Sequence, residues 1–256
     1  MGRIKLFLRR NYGYSPLIGL LLAIGGIAAG YYGHPYWLTL FVGVGTSLIA
    51  AGVVTFLSPA SDEMYQRFLA LGIRDMWPSR RDVPNDNWCR WLRGTSKSCT
   101  LLGVAHGEWR NDERFEPALQ ECLARNAVEV RILFLDPNSN LAKSRANEEQ
   151  RDTPATIKTS IRIIWNEIRP RLHPELQDRL HLYVYDSTPS SGATWVDDFM
   201  IVTHYLAGCP NRTSPAFRVE DLGADSLFGV FKRNIEKITE KPSTVEITEE
   251  NVATYI

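Results

Sequence analysis

The feature that most constrains this chain is a long gap in its charges near the N-terminus. No Asp, Glu, Lys or Arg occurs between Arg10 and Asp62. Two apolar runs, residues 15–32 and 36–57, fill the gap, and each is close to the ~20 residues that a helix needs to cross a bilayer. The joining sequence GHPY contains a turn-forming Gly and Pro. A cleaved signal peptide explains the first run but not the second, so the pattern predicts a two-helix transmembrane hairpin over residues 1–60.

Basic residues on both sides of the hairpin predict its orientation, because lysines and arginines stay on the cytoplasmic side of a membrane. The flanks contain Arg3, Lys5, Arg9 and Arg10 before the hairpin and Arg67, Arg74, Arg80 and Arg81 after it. Both termini are therefore expected in the cytoplasm. The four cysteines show no C-x-x-C spacing, as expected of reduced thiols in that compartment. The net charge is zero, so any anion site has to be local.

Small residues are frequent in the hairpin, and Gly26 and Gly30 form a GxxxG pair, which lets helix backbones approach closely in lipid. Two interpretations stay open. The pair either packs the two helices of one hairpin or mediates self-association into a homo-oligomer, for which we expect a tetramer. No ionisable residue lies in mid-span, which argues against a pump or a transporter.

The rest of the chain divides by composition into three parts. Residues 61–98 predict a connecting helix, 61–71, and an irregular segment rich in Arg and Trp. Within residues 99–240, strand-like runs occupy 99–105, 128–135, 180–185, 194–196, 199–205 and 216–219, and helical spacing occupies 113–126, 154–168 and the residues from 227 onward. This order predicts a single α/β sandwich domain around a mixed sheet. The acidic residues 241–256 predict a mobile tail.

The sequence WVDDFMIVTHYL, residues 195–206, together with LLGVAHGEW and NAVEVRILFLDPNS, resembles a repeat of the phospholipase D superfamily. The motif of that family is a His, any residue, a Lys, four further residues, an Asp and a short apolar strand. Asp198 and the strand after it match. Ser191 stands at the histidine position and Ala193 at the lysine position.

A second alignment places His204 on the histidine of the motif, but Leu206 and Asn211 then replace its lysine and aspartate. The chemistry of the family needs an imidazole to attack phosphorus and a cation to stabilise the oxyanion. The resemblance therefore implies a phospholipase D-like sensor domain, residues 99–240, that has no catalytic residue and keeps only a binding role.

Two apolar helices ahead of such a domain resemble the transmembrane effector of Hailong-type anti-phage defence systems. That resemblance implies a multi-pass protein of the bacterial inner membrane that forms an oligomeric channel or a membrane-disrupting assembly. It also implies gating by a nucleotide or a single-stranded DNA oligomer bound to the cytoplasmic domain. A partner nucleotidyltransferase would make that ligand.

Candidate ligand-binding residues lie in the loops at the carboxyl ends of the strands, where ligands meet α/β sheets. They are His106, Trp109, Arg110, Asn138, Ser139, Ser191, His204, Asn211 and Arg212. The Arg/Trp segment adds Arg80 and Arg81, which contact either an oligonucleotide or lipid headgroups. Amides, hydroxyls and arginines suit phosphate oxygens. No acidic cluster has metal-ligand spacing, so neither a metal nor another cofactor is expected.

Several of these residues have a structural interpretation as well. His106 and His204 also fit hydrogen-bonding roles at strand ends. Trp109 either stacks on a base or packs as a lid. Asp197 and Asp198 are expected to hold a turn or a loop, because a carboxylate repels phosphate.

Three functions fit this sequence. The first is a membrane effector gated by a phosphate-containing ligand. The second is a membrane-anchored phosphodiesterase or nuclease that acts through His204. The third is a scaffold without a ligand.

Overall fold

The computed structural model of the protein describes residues 15–31, 35–125, 128–206 and 209–256. The basic residues before the first helix and Gly33 and His34 of the expected turn lie outside the described residues. The chain divides into two compact units, a helical unit from Met1 to Phe68 and an α/β unit from Leu69 to Ile256.

The described residues of the helical unit form helices α1 (Ser15–Tyr31) and α2 (Pro35–Ala70). The expected connecting helix over residues 61–71 is the last part of α2, which continues from the apolar run through Pro59 to Ala70. Several apolar side chains on α1 are exposed, among them Leu21, Ile24 and Ile27. Over the residues that the structure describes, no helix combines the length and the apolar character of a membrane span.

The α/β unit is built on one mixed sheet, which confirms the predicted α/β class with a mixed sheet. Its strands are β1 (Ile73–Trp77), β2 (Ser98–Gly103), β3 (Glu129–Leu135), β4 (Leu180–Tyr185), β5 (Ser191–Val196), β6 (Phe199–His204), β7 (Ala216–Glu220) and β8 (Val245–Glu246). They lie in the order β1-β7-β6-β5-β2-β3-β4-β8. The pairs β2–β3 and β3–β4 are parallel, and the other neighbouring pairs are antiparallel.

Strand β3 is the centre of the core. Its residues Ile132 to Leu135 are fully buried, so both faces of the strand are covered, as in a parallel sheet with helices on each side. The helices of the unit are α3 (Asn85–Gly94), α4 (Gly107–Arg110), α5 (Phe115–Ala124), α6 (Asn140–Glu149), α7 (Thr153–Ile163), α8 (Pro174–Gln177) and α9 (Leu227–Thr239). A π turn, Ile164–Ile168, extends α7.

The expectation of an irregular Arg/Trp segment is wrong. Residues 73–98 contain β1, a 3-10 turn over Arg80–Asp82 and helix α3. Trp88, Cys89 and Leu92 are buried on one face of α3, because their spacing matches a helical turn. The prolines that suggested a loop stand between these elements rather than inside them.

The expectation of a mobile acidic tail is also wrong. Strand β8 pairs with the edge strand β4, and the amide of Ile247 donates to the carbonyl of Leu182 at 2.8 Å. Ile247 is only 3% exposed and Val252 only 9% exposed. The burial of these two apolar side chains stabilises the packing of the tail against the sheet, although the residues around them are acidic.

Candidate functional site

Four arginines meet around a cavity of about 370 Å³ at the carboxyl end of β2. We name it the arginine cavity. Its lining comprises Arg80, Gly103, Val104, Ala105, His106, Gly107, Arg110, Asn111, Arg151, Thr156, Tyr205, Pro210, Asn211 and Arg212. Among the described residues, no Asp or Glu lines it. The cavity therefore has a local positive potential although the chain as a whole is neutral.

Arg110 is fixed in place by neutral groups. Its Nη1 donates to the carbonyl of Thr156 at 3.1 Å and to Oγ of Ser160 at 2.9 Å, both on α7. Its Nε donates to the Oδ1 of Asn111 at 3.3 Å. These acceptors orient the guanidinium group without neutralising its charge, so the cation remains able to attract an anion.

Arg80 and Arg212 lie on two short 3-10 turns that are joined to each other. Oγ of Ser79 donates to the carbonyl of Arg212 at 2.9 Å, and the amide of Arg80 donates to the carbonyl of Ser214 at 2.8 Å. The Cζ of Arg80 lies 5.0 Å from the ring centre of Trp88, at a distance typical of a cation–π contact. Arg212 is exposed at the rim.

A buried ion-pair chain supports the fourth arginine. Glu149, whose side chain is 1% exposed, lies 2.5 Å from Nε of Arg151 and 2.7 Å from Nε of Arg145. Arg145 also donates to the carbonyls of Leu206 and Cys209. These ion pairs and hydrogen bonds thus join α6 to the loop that precedes Asn211 and Arg212.

Tyr205 and Asn211 form a further wall of the cavity. The amide of Val104 donates to the hydroxyl of Tyr205 at 3.0 Å. A Cβ on Gly192 would lie 3.1 Å from that hydroxyl and 3.2 Å from Nδ2 of Asn211. The glycine therefore allows the side chains of Tyr205 and Asn211 to pack closely against the backbone of β5. Oδ1 of Asn211 is buried and accepts no hydrogen bond from the described residues.

His106 has a structural role at the floor of the cavity. Its Nε2 lies 2.9 Å from the carbonyl of Leu133, which can only accept, so Nε2 carries the proton and donates. Its ring packs edge-on to Phe134, and its backbone is left-handed with φ 48°. A Cβ on Gly103 would lie 2.8 Å from the ring. The hydrogen-bonding interpretation of His106 therefore holds, and the residue also lines the site.

The expected stacking of a base on Trp109 is wrong. Trp109 is 3% exposed, and its ring packs against Trp88 and Phe115 with centroid distances of 5.6 and 5.4 Å. Because both neighbours cover the indole, a base cannot lie on its face. The lid-packing interpretation is the one that fits.

Five other candidates do not line the arginine cavity: Asn138, Ser139, Ser191, His204 and Arg81. Nδ2 of Asn138 donates to the carbonyl of Thr254, and Oγ of Ser139 caps α6 by accepting from the amide of Ala142. Ser191 is buried within β5. His204 lies beside Phe217 and Phe231, with ring centroids 6.3 and 5.9 Å away.

The acidic pair of the motif lies at the turn between β5 and β6, at the opposite end of these strands from the arginine cavity. Asp197 has φ 46° and accepts hydrogen bonds from the amides of Ser96, Lys97 and Ser98. Burial alone would raise the pKa of Asp197, but these hydrogen bonds hold that pKa below its ordinary value. The expectation that the pair holds a turn and a neighbouring loop is confirmed for Asp197.

The sequence interpretation missed four lining residues with polar side chains: Asn111, Arg151, Thr156 and Tyr205. Arg151 and Thr156 follow or belong to helices, so a search restricted to strand ends does not find them. Asn111 and Tyr205 directly follow two named candidates, Arg110 and His204, in the chain.

No protein-family model matches this chain, and no curated protein matches it. Among solved structures, the chain is similar to TrmBL2, an archaeal chromatin protein, with 13% identity and a TM-score of 0.38 over 84% of this chain and 71% of that chain. It is also similar to a phosphatidylserine synthase of Haemophilus influenzae Rd KW20, with 13% identity and a TM-score of 0.44 over 67% of this chain and 38% of that chain. Likenesses of this extent identify neither a family nor a function.

Proposed function

We propose that the α/β unit binds a phosphodiester ligand, a nucleotide or a short single-stranded oligonucleotide, in the arginine cavity and does not cleave it. One observation carries the proposal: within the part of the chain that the structure describes, the acceptors that orient the guanidinium group of Arg110 at the cavity are all neutral. These acceptors leave the positive charge of Arg110 uncompensated. Charge-assisted hydrogen bonds to phosphate oxygens are the interaction that such a cation fits best.

The proposed absence of hydrolysis is supported by the residues at the positions that the resemblance to the phospholipase D superfamily assigns to the motif. Ser191 and Ala193, at the histidine and lysine positions, are 4% and 5% exposed on β5. Neither supplies a nucleophilic imidazole or an ammonium group for the oxyanion.

The alternative function is a membrane-anchored phosphodiesterase or nuclease that acts through His204. Its imidazole packs beside Phe217 and Phe231 rather than lining the arginine cavity. A nucleophile needs to reach the phosphorus that the cations hold, so this arrangement favours binding without turnover.

We propose further that the whole protein is an effector of bacterial anti-phage defence in the inner membrane. The charge gap of residues 11–61 supports a membrane location, and so do the exposed apolar side chains of Leu21, Ile24 and Ile27 on α1. We propose a homo-oligomer, with a tetramer as the working state, that forms a channel or disrupts the membrane. The ligand gates it and comes from a partner nucleotidyltransferase.

The test is an equilibrium titration of the detergent-solubilised full-length protein with a short fluorescent oligonucleotide at low salt, followed by analysis of the recovered ligand. The proposal expects saturable binding and recovery of intact oligonucleotide. Inorganic tripolyphosphate should compete, because the cavity recognises phosphate. Turnover that is abolished by His204→Ala would support the alternative, and no binding of oligonucleotides or cyclic dinucleotides would support a scaffold without a ligand.

A further inference from the structure

A second cavity, of about 530 Å³, lies directly beside the arginine cavity. We name it the tryptophan cavity. It is lined by Asn85, Trp88, Trp109, Asn111, Asp112, Glu113 and Arg114. The two cavities share Asn111, and Trp88 of the second contacts Arg80 of the first. A ligand that extends past Asn111 therefore enters both.

The walls of the tryptophan cavity do not suit phosphate. Asp112 and Glu113 both line it, and the hydrogen bond from the side chain of Arg114 lowers the pKa of Asp112, so that carboxylate is charged at neutral pH. Arg114 is committed to Asp112 and Asp86. Phosphate would meet two carboxylates and no uncommitted cation among the lining residues. An uncharged group that donates hydrogen bonds fits better, because carboxylates and amide oxygens accept them.

Trp109 adds a donor that has no acceptor. Its Nε1 is buried and has no hydrogen-bond partner among the described residues, although the residue lines this cavity. A buried unsatisfied donor costs free energy, which a ligand acceptor would recover. The edge of the indole, rather than its covered face, is therefore the part that a ligand can use.

We propose that the tryptophan cavity binds the nucleobase of the ligand whose phosphate the arginine cavity holds, and that it favours a base with an exocyclic amino group. The inference rests on the proposed function and specifies its ligand. Adenine presents an amino donor together with a ring-nitrogen acceptor, whereas thymine presents a carbonyl and a methyl group in the same place. The carboxylate of Glu113 and the amide oxygen of Asn85 match the amino group, and Nε1 of Trp109 matches the acceptor.

The experiment compares three short oligonucleotides of equal length, an adenine homopolymer, a thymine homopolymer and an abasic strand, on the full-length protein. All three carry the same phosphates, so differences report the base alone. The inference expects the adenine strand to bind about tenfold or more tightly than the other two, as for one well-placed base contact. Trp109→Phe and Asn85→Ala should remove most of this preference and leave abasic binding unchanged.

Asn147→Ala is the matched control, since Asn147 is exposed on α6 and lines neither cavity. Asn85 is exposed, so its variant tests the inference even if Trp109→Phe does not fold. Equal affinity for the adenine and abasic strands would overturn the inference and leave the proposed function standing. No binding of any strand at low salt would overturn both. A preference that persists in Asn85→Ala and Trp109→Phe would place base recognition elsewhere.

Discussion

Asp197 has a structural role at the turn between β5 and β6. Its carboxylate accepts from three successive amides and from Oγ of Ser96. Asp197→Asn should lower the free energy of unfolding by about 1–3 kcal/mol at neutral pH, because it removes a charged acceptor from a turn. Asp198→Asn is the control, since Asp198 is exposed. Denaturant unfolding of both variants measures the difference, and equal stabilities would contradict the assigned role.

The pKa shift of Asp197 gives that prediction a pH dependence. A carboxylate whose pKa is lowered by folding contributes stability that is fully present above its ordinary pKa of 3.8 and lost as the pH falls through the lower folded-state value. The gap in stability between wild type and Asp197→Asn should therefore narrow in that acid range. A gap that stays constant with pH would show that the carboxylate charge is not what matters.

At the scale of elements, the arginine cavity depends on the ion-pair chain between α6 and the loop after β6. Arg145→Met should lower the free energy of unfolding by about 3–5 kcal/mol, because it removes one of two partners from a buried carboxylate. Glu148→Gln breaks an ion pair of Arg145 whose acidic partner is 43% exposed, and it should cost less than about 1 kcal/mol. Thermal unfolding checks both variants. A small loss in Arg145→Met would mean that Glu149 needs only Arg151.

The C-terminal tail is a second element whose contribution can be measured. Ile247→Ala should cost about 2–4 kcal/mol, as for truncation of a buried aliphatic side chain. Val245 lies two residues earlier, in β8, and is 38% exposed, so Val245→Ala should cost much less. If the two variants unfold at the same denaturant concentration, the tail does not contribute to the folded unit.

Elements with strong apolar patterns were predictable from the sequence. The run VEVRILFL predicted β3 because a short run of β-branched and other apolar residues is typical of a buried strand. Residues 180–185 predicted β4 with the bounds that the structure has. Strand β1 and helix α3 were not predictable from apolar periodicity. Most residues of β1 are exposed, and the three buried residues of α3 lie in a segment whose other residues are mostly polar or charged. The tail was missed for the same reason, since Ile247 and Val252 are isolated among acidic residues.

The site was predictable only in part. His106, Arg110, Asn211 and Arg212 were found because loops at the strand ends converge, and Arg80 was found because it lies among aromatic residues. The contribution of Arg151 depends on how α6 and α7 pack beside the sheet. Pairwise helix packing is a tertiary property that no local pattern in one sequence specifies.

At the scale of the whole molecule, the N-terminal charge gap makes a topological prediction. A cysteine placed at Gly33 should react with a membrane-impermeant thiol reagent added to intact cells, because the neutral GHPY segment is expected outside. Native Cys209 should react only after the cells are opened. Labelling of Cys209 in intact cells, or protection of the cysteine at position 33, would contradict a hairpin with both termini in the cytoplasm.

The central claim is that the arginine cavity holds backbone phosphate, and the salt dependence of oligonucleotide binding tests it most directly. Affinity of the full-length protein should fall steeply with salt, because binding releases counterions. Arg110→Met should weaken binding and reduce the slope of log K against log salt by about 0.7, the value for one contact to a single strand. Arg162→Met, which alters an exposed arginine outside the cavity on the same helix that anchors Arg110, should match wild type. Coincident salt slopes and affinities for wild type and Arg110→Met would contradict the claim.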